Sequence, residues 1–154
     1  MEITMNVNGE RWDISAAPAD VLLDVLREKV GVKSPKIGCE RGDCGSCTIL
    51  LEGKTVRSCL VLAVEVDGQE ITTVEGIGLE GLSRLQDLLL NNNAFQCGFC
   101  APGIVLSATE LLNNNPSPTR HDVQEALAGN LCRCTGYEPI IEAVLAAGSK
   151  AGAQ

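Results

Sequence analysis

The feature that most constrains this chain is its cysteines, which number eight and fall into two separate sets of four. Cys39, Cys44, Cys47 and Cys59 occupy the first half; Cys97, Cys100, Cys132 and Cys134 occupy the second. The opening stretch MEITMNVNGE has no basic segment, apolar core or twin arginine. A secretory signal is therefore not expected, and the chain is expected in the cytoplasm. Disulfides do not persist in that compartment, so eight thiols need another purpose, and metal binding leads.

The first set is spaced C-x4-C-x2-C-x11-C. Its tight part followed by a distant fourth cysteine is the plant-type ferredoxin spacing for a 2Fe–2S cluster. The reason is geometric: three thiolates come from one loop wrapped around the cluster. Gly38, Gly42 and Gly45 let that backbone fold tightly and turn N–H groups toward the sulfurs. The competing structural zinc usually takes paired short C-x-x-C knuckles. The second set is spaced C-x2-C-x31-C-x1-C. Two short thiolate pairs on separate loops suit tetrahedral zinc as well as 2Fe–2S, and spacing alone leaves both open, with disulfides as a third reading. A thioredoxin-type redox pair is disfavoured, because no βαβ pattern surrounds the C-x-x-C.

The first half reads as strand-rich. Ile3, Met5 and Val7 alternate with polar residues, Asn8-Gly9 predicts a two-residue hairpin turn, and Arg11–Ile14 is the returning strand. Val21, Leu22, Val25, Leu26 and Val30 share one helical face, which Gly31 ends. Thr48–Leu51 and Thr55–Val56 flank Glu52-Gly53-Lys54 as a second hairpin, and Glu70–Val74 is a further strand. The second half reads as four helices: Leu82–Leu90, Ile104–Leu112 with Pro102 near its first turn, Thr119 to about Ala128 under a T-x-x-D cap, and Ile140–Ala147. The Asn runs 91–93 and 113–115 follow two of them, as left-handed helix ends would. The expectation is an α+β chain with a small α+β domain over 1–76 and a helical domain over 77–154, their boundary near Gly76–Gly81.

Charge and aromatic content narrow the partners. The net charge is −8, and aromatics make up 3% of the chain, against nucleic-acid binding on electrostatic and stacking grounds alike. Residues 1–76 carry 8 basic and 13 acidic groups and residues 77–154 carry 4 and 7, a solvated surface rather than an acidic tail. No apolar run approaches a membrane span. Each half has few residues for a core, so four metal–thiolate bonds would also staple it.

The motifs around the cysteines carry more. Ile37-Gly38-Cys39-Glu40-Arg41-Gly42-Asp43-Cys44-Gly45-Ser46-Cys47-Thr48 resembles the first-cluster loop of the xanthine dehydrogenase/aldehyde oxidoreductase/carbon monoxide dehydrogenase family, the molybdenum hydroxylases. Gln96-Cys97-Gly98-Phe99-Cys100-Ala101-Pro102-Gly103 and Gly129-Asn130-Leu131-Cys132-Arg133-Cys134-Thr135-Gly136-Tyr137 resemble its second-cluster motifs. Relatives more often carry Tyr and Thr where Phe99 and Ala101 stand. The resemblance spans Ile3 to about Ala147 and implies a β-grasp ferredoxin-like domain followed by an all-α four-helix bundle, each with one 2Fe–2S cluster. It implies a large molybdopterin-binding subunit next to the second cluster, with Gln96 and Cys134 approaching the pterin. It implies an FAD-binding medium subunit near the first cluster, in a hetero-oligomer such as a dimer of heterotrimers. Electrons would pass singly from the Cys97, Cys100, Cys132, Cys134 site to the Cys39, Cys44, Cys47, Cys59 site and on to FAD or another acceptor. The competing reading is a free-standing two-cluster ferredoxin-like carrier.

Other features are weaker. Gly76-Ile77-Gly78-Leu79-Glu80-Gly81 matches G-x-G-x-x-G, but no parallel strand with a distal acid follows, so a linker is expected rather than a nucleotide site. His121, the sole histidine, is expected in solvent, and Trp12 in packing or an interface. Arg133 stands between two ligands as a tuning charge, a partner contact or a plain surface charge. No catalytic constellation is present in the sequence.

Overall fold

A computed structural model describes residues 1–148. The chain begins with strands β1 (Glu2–Val7) and β2 (Glu10–Ser15), an antiparallel pair in the register Met5↔Trp12 and Val7↔Glu10. The turn between them has positive φ at both Asn8 (55°) and Gly9 (81°), the two-residue geometry whose twist matches that of the strands. Helix α1 (Leu22–Val25) runs directly into a π-helical turn, Leu26–Val30, which Gly31 ends at φ 91°. The predicted helical face is thus real but split. Leu22, Val25 and Leu26 are all buried, and its second part takes a wider turn.

Strands β3 (Thr48–Leu51) and β4 (Lys54–Arg57) form the second hairpin, turning through Glu52 and Gly53. Strand β5 (Glu70–Thr72) completes a five-stranded sheet of order β2-β1-β5-β3-β4, parallel to β1 and antiparallel to β3. α1 packs on this sheet over Met5, Ile49 and Ile71, none exposed above 1%, in the expected β-grasp arrangement. Each such side chain contributes roughly 1.5–3 kcal/mol by leaving water. Trp12 packs half-buried at the edge of the same core.

The strand expected over Glu70–Val74 is shorter than predicted. It stops at Thr72, and Val74–Ile77 forms a short helix, α2. Thr73 is fully buried and bonded to Asn8 by its N–H (2.8 Å) and its hydroxyl (2.9 Å), and that bend converts strand to helix. The glycine-rich segment therefore begins inside a helix, and Val74 and Ile77 pack on the second core.

That core is built by α3 (Arg84–Asn91), α4 (Ala101–Asn114), α5 (Arg120–Leu127) and α6 (Glu138–Gly148) around Leu89, Ile104, Ala108, Val123, Ile140 and Val144. Ser83 caps α3 and Thr119 caps α5, each with a reciprocal bond from the third helical residue, as T-x-x-D predicted for the latter. The two Asn runs diverge. Asn93 is left-handed at φ 47°, whereas Asn115 is extended at φ −137° because Pro116 follows and bars the helical region. Among the described residues no helix is long and apolar enough to cross a membrane.

Candidate metal centres

The first cysteine set lies between the π-helical turn and the β3–β4 hairpin. Cys47 immediately precedes β3, and Cys59 sits in the 3-10 turn Ser58–Leu60 that follows β4. The pairing Thr48↔Arg57 therefore places these two thiols side by side. Ser58 holds the closure by donating its hydroxyl to the Cys47 carbonyl (2.7 Å). Cys39 and Cys44 form the facing pair, with the Cys44 N–H 3.4 Å from the Cys39 sulfur. Positive φ at Glu40, Gly42 and Gly45 curls this loop so that successive N–H groups turn inward. Backbone N–H groups of Arg41 and Cys44 favour the anionic sulfur and bring the Cys39 thiol down to about 6. Burial pushes the Cys59 thiol up to about 11, and Cys47 beside it adds to the effect. Gly38 packs where a Cβ would stand 2.7 Å from the Cys44 sulfur, so the loop has no room for a side chain there.

The second set is assembled from helix ends. Cys97 and Cys100 lie in the turn that leads into α4, Cys100 being its capping residue, with Pro102 harmless in the first turn. Cys132 and Cys134 lie in the loop between α5 and α6. Cys97 and Cys134 face each other at 3.7 Å and are both exposed. Cys100 and Cys132 form the inner pair; burial pushes the Cys100 thiol up to about 12, and the neighbouring Cys132 adds to this. Burial also acts to raise Cys132. The Thr135 hydroxyl at 3.2 Å and the N–H groups of Cys134 and Thr135 outweigh it and leave that thiol lowered. The Phe99 N–H lowers Cys97. Tyr137, at φ 71°, accepts the Cys132 N–H (2.8 Å) on its phenol oxygen and donates to the Asn130 carbonyl (2.9 Å). Gln96 donates from Nε2 to the Cys134 carbonyl (3.2 Å), so the structure brings the two predicted pterin-facing residues together.

All eight thiols are free and grouped in pairs: Cys39 with Cys44, Cys47 with Cys59, Cys97 with Cys134, Cys100 with Cys132. A tetrahedral zinc at ~2.3 Å from each sulfur needs four sulfurs mutually within roughly 3.8 Å. Among the described residues, the one trio of His, Cys, Asp or Glu donor atoms lying within 4.8 Å of one another is His121, Asp122 and Glu125, which contains no cysteine. Two facing pairs per site fit a two-iron cluster, in which each iron takes two thiolates, better than a single ion. The inward N–H groups supply the hydrogen bonds that stabilise such sulfurs.

The remaining candidates do not gather into a site. The His121 side chain is 76% exposed and stands 3.6 Å from Glu125. Arg133 is exposed. Spacing did not reveal Asn130 and Arg57, which tie the two cysteine loops to each other. Asn130 is 1% exposed and bonded to both halves, and Arg57 reaches from β4 to the Gly129 carbonyl (2.6 Å). Asn130 falls within the Gly129–Tyr137 motif, but the sequence does not mark it or Arg57 as a tie between the loops.

Known proteins resemble both halves of the chain. Residues 5–75 match the family model described as a 2Fe-2S iron-sulfur cluster binding domain, and residues 73–145 match that of a [2Fe-2S] binding domain. The nicotine 6-hydroxylase small subunit of Paenarthrobacter nicotinovorans is 51% identical over 152 residues, covering 99% of this chain and 92% of that one. The xanthine dehydrogenase iron-sulfur-binding subunit of Escherichia coli O157:H7 is 42% identical over 146 residues, covering 93% and 91%. The crystal structure of quinoline 2-oxidoreductase from Pseudomonas putida 86 superimposes with a TM-score of 0.92 at 48% identity, covering 96% of this chain and 92% of that one. The chain belongs to the family of small iron–sulfur subunits of the xanthine dehydrogenase/aldehyde oxidoreductase type, the molybdenum hydroxylases.

Proposed function

We propose that this chain is the electron-transfer subunit of a cytoplasmic molybdenum hydroxylase complex. Cys39, Cys44, Cys47 and Cys59 would hold one 2Fe–2S cluster, and Cys97, Cys100, Cys132 and Cys134 the other. The observation that carries this reading is the arrangement of eight thiols as four facing pairs, two pairs per half. Such clusters, when bound, exchange one electron at a time. The residues of the chain do the rest. Backbone N–H groups around Cys39 stabilise the charge on the sulfurs, and the cores behind Cys47 and Cys100 exclude water from the inner ones. The two cluster domains divide near residues 73–77, corresponding to 1–76 and 77–154.

The exposed side of the second site supports a subunit rather than a diffusing carrier. Cys97 and Cys134 are exposed, and so are Phe99 (45%) and Leu131 (56%) on the same two loops. Exposed apolar residues on the loops that carry exposed thiols suit a surface that a partner covers. That partner is proposed to be the large molybdopterin-binding subunit, with Gln96 and Cys134 toward the pterin. An FAD-binding medium subunit would lie beside the first site, in a hetero-oligomer such as a dimer of heterotrimers. Substrate oxidation would belong to the large subunit. Electrons would enter at the second site and leave by the first.

Anaerobic purification with a tag on this chain tests the reading. The expected result is co-purification of a molybdenum-containing chain and two distinct 2Fe–2S EPR signals on reduction. A colourless protein without EPR signals excludes both clusters. A chain that isolates alone with both signals, and supports activity only as a diffusing carrier, overturns the subunit assignment.

A further inference from the structure

The two cysteine loops meet at one backbone hydrogen bond. The N–H of Leu131, next to Cys132, donates to the carbonyl of Cys44 at 2.8 Å. Two side chains hold this contact from either side. Asn130, 1% exposed, donates from Nδ2 to the Gly45 carbonyl and to the Thr48 hydroxyl, both at 3.2 Å, and accepts the Ser107 hydroxyl from α4 at 2.8 Å. Arg57 donates to the same Thr48 hydroxyl (2.8 Å) and to the Gly129 carbonyl (2.6 Å). Thr48 passes its own proton to the Gly45 carbonyl at 2.6 Å. The backbones approach too closely for side chains at the junction. A Cβ on Gly45 would overlap the Gly129 carbonyl, and one on Gly103 would overlap the Gly45 carbonyl.

Apolar packing could hold the halves together equally well, but without direction. A buried polar network with every partner satisfied specifies one register and stiffens it. We propose that Asn130 and Arg57 are positioning residues that fix the Cys44–Leu131 contact and thereby set the electronic coupling between the two cluster sites. The transfer they serve balances simply: one electron lost at one site is gained at the other, with no bond made and no proton required. The inference rests on the ligand assignment proposed above.

The test uses the full chain loaded with both clusters, in its complex where it forms one. When both sites are reduced, their unpaired spins split each other's EPR signals, and the dipolar part of that splitting falls with the cube of their separation. Asn130→Ala and Arg57→Met are expected to narrow the splitting while each site keeps its own line shape. Arg57→Lys, which reaches only one of the two acceptors, is expected to fall between Arg57→Met and the parent. Iron and sulfide content separates the two possible failures. A parent short of the iron for two clusters overturns the ligand assignment. A fully loaded parent without splitting overturns the inference, as do loaded variants whose splitting matches the parent. If Asn130→Ala fails to fold or load, Arg57→Met decides alone by the same criterion. A purely structural role would lower loading or thermal stability and leave the splitting of the loaded molecules unchanged.

Discussion

The two cysteine sites reach the same arrangement of paired thiols by opposite routes. In the first, three thiols lie on one loop, and the fourth is returned by a hairpin whose register Thr48↔Arg57 puts Cys59 beside Cys47. In the second, no thiol pair is local: Cys97 faces Cys134 and Cys100 faces Cys132, across loops joined only through α4 and α5. The first site is organised by backbone conformation within a short stretch of chain. The second exists only once its helices have packed. The first site should therefore tolerate disturbance of the second better than the reverse.

The largest expected effects come from removing ligands. Cys47→Ser and Cys132→Ser should each lose one EPR signal; Cys132→Ser should lose about half the iron and Cys47→Ser more than half, since each 2Fe–2S cluster carries two irons. The comparison predicts an asymmetry: Cys132→Ser should leave the first signal intact, while Cys47→Ser should also weaken the second, because Leu131 leans on the Cys44 carbonyl. Iron assay and EPR on the purified variants measure this, and equal cross-effects would break the comparison. Gly45→Ala comes next. It places a Cβ against the Gly129 carbonyl at a residue held at φ 74°, and should cost about 3 kcal/mol or more, read as a shift of the urea midpoint. Because it pries the loops apart, it should lower the loading of both sites.

The same contrast explains what could be read from the sequence. The plant-type spacing of Cys39–Cys59 and the Asn8-Gly9 and Glu52-Gly53 turns are local signals, and both turns were realised. So was the Thr119 cap. For the second set, spacing favoured iron–sulfur but left zinc and disulfides open. The grouping of its thiols into two facing pairs, Cys97 with Cys134 and Cys100 with Cys132, depends on how α4, α5 and α6 pack. The failures have the same origin. Val74 looked like strand because β propensity is local, but the buried Thr73–Asn8 pair turns the chain and the strand ends two residues earlier, at Thr72. Asn130 and Arg57 are distant in sequence, and their shared partner, Thr48, appears only in three dimensions.

A smaller effect should separate the sites electronically. The Thr135 hydroxyl accepts from the Tyr137 N–H at 3.2 Å, which leaves its proton to point at the Cys132 sulfur, also at 3.2 Å. Thr135→Val removes that donor. It should lower the midpoint potential of the second site by a few tens of millivolts, equivalent to about 1 kcal/mol in a one-electron couple. The first site should not move in an EPR-monitored redox titration. A shift of both would mean that the substitution acts through the junction rather than through the sulfur.

The smallest effects concern the carboxylates that brace each loop. Glu75 accepts the N–H groups of Lys33 (3.1 Å) and Ser34 (2.9 Å) and the hydroxyls of Ser34 and Thr73, anchoring the segment that leads to Cys39. Desolvation alone would raise its carboxyl, but the bonds from Ser34 and Thr73 prevail and hold it below its ordinary 4.5. Glu138 is lowered by its hydrogen bond and ion pair with Arg120, which also reaches Glu142 on α6. Both carboxyls have depressed values in the folded state. The stability they contribute is therefore present above the ordinary value of 4.5 and is lost as pH falls through the lower folded values. Glu75→Gln should cost about 1 kcal/mol at neutral pH, discounted for solvent screening, and flatten the acid limb of the stability curve below about pH 4.5. Its hydrogen-bond donors are neutral and Lys36 is a charged neighbour outside that set, so 1 M salt should change this less than it changes an ion pair. The Glu138–Arg120 pair is a solvent-exposed ion pair, so its smaller contribution should vanish under the same salt. Urea unfolding of Glu75→Gln and Glu138→Gln at pH 4 and 7, with and without salt, reads both. A salt-sensitive Glu75 effect would show that the brace of the first loop is as electrostatic as that of the second.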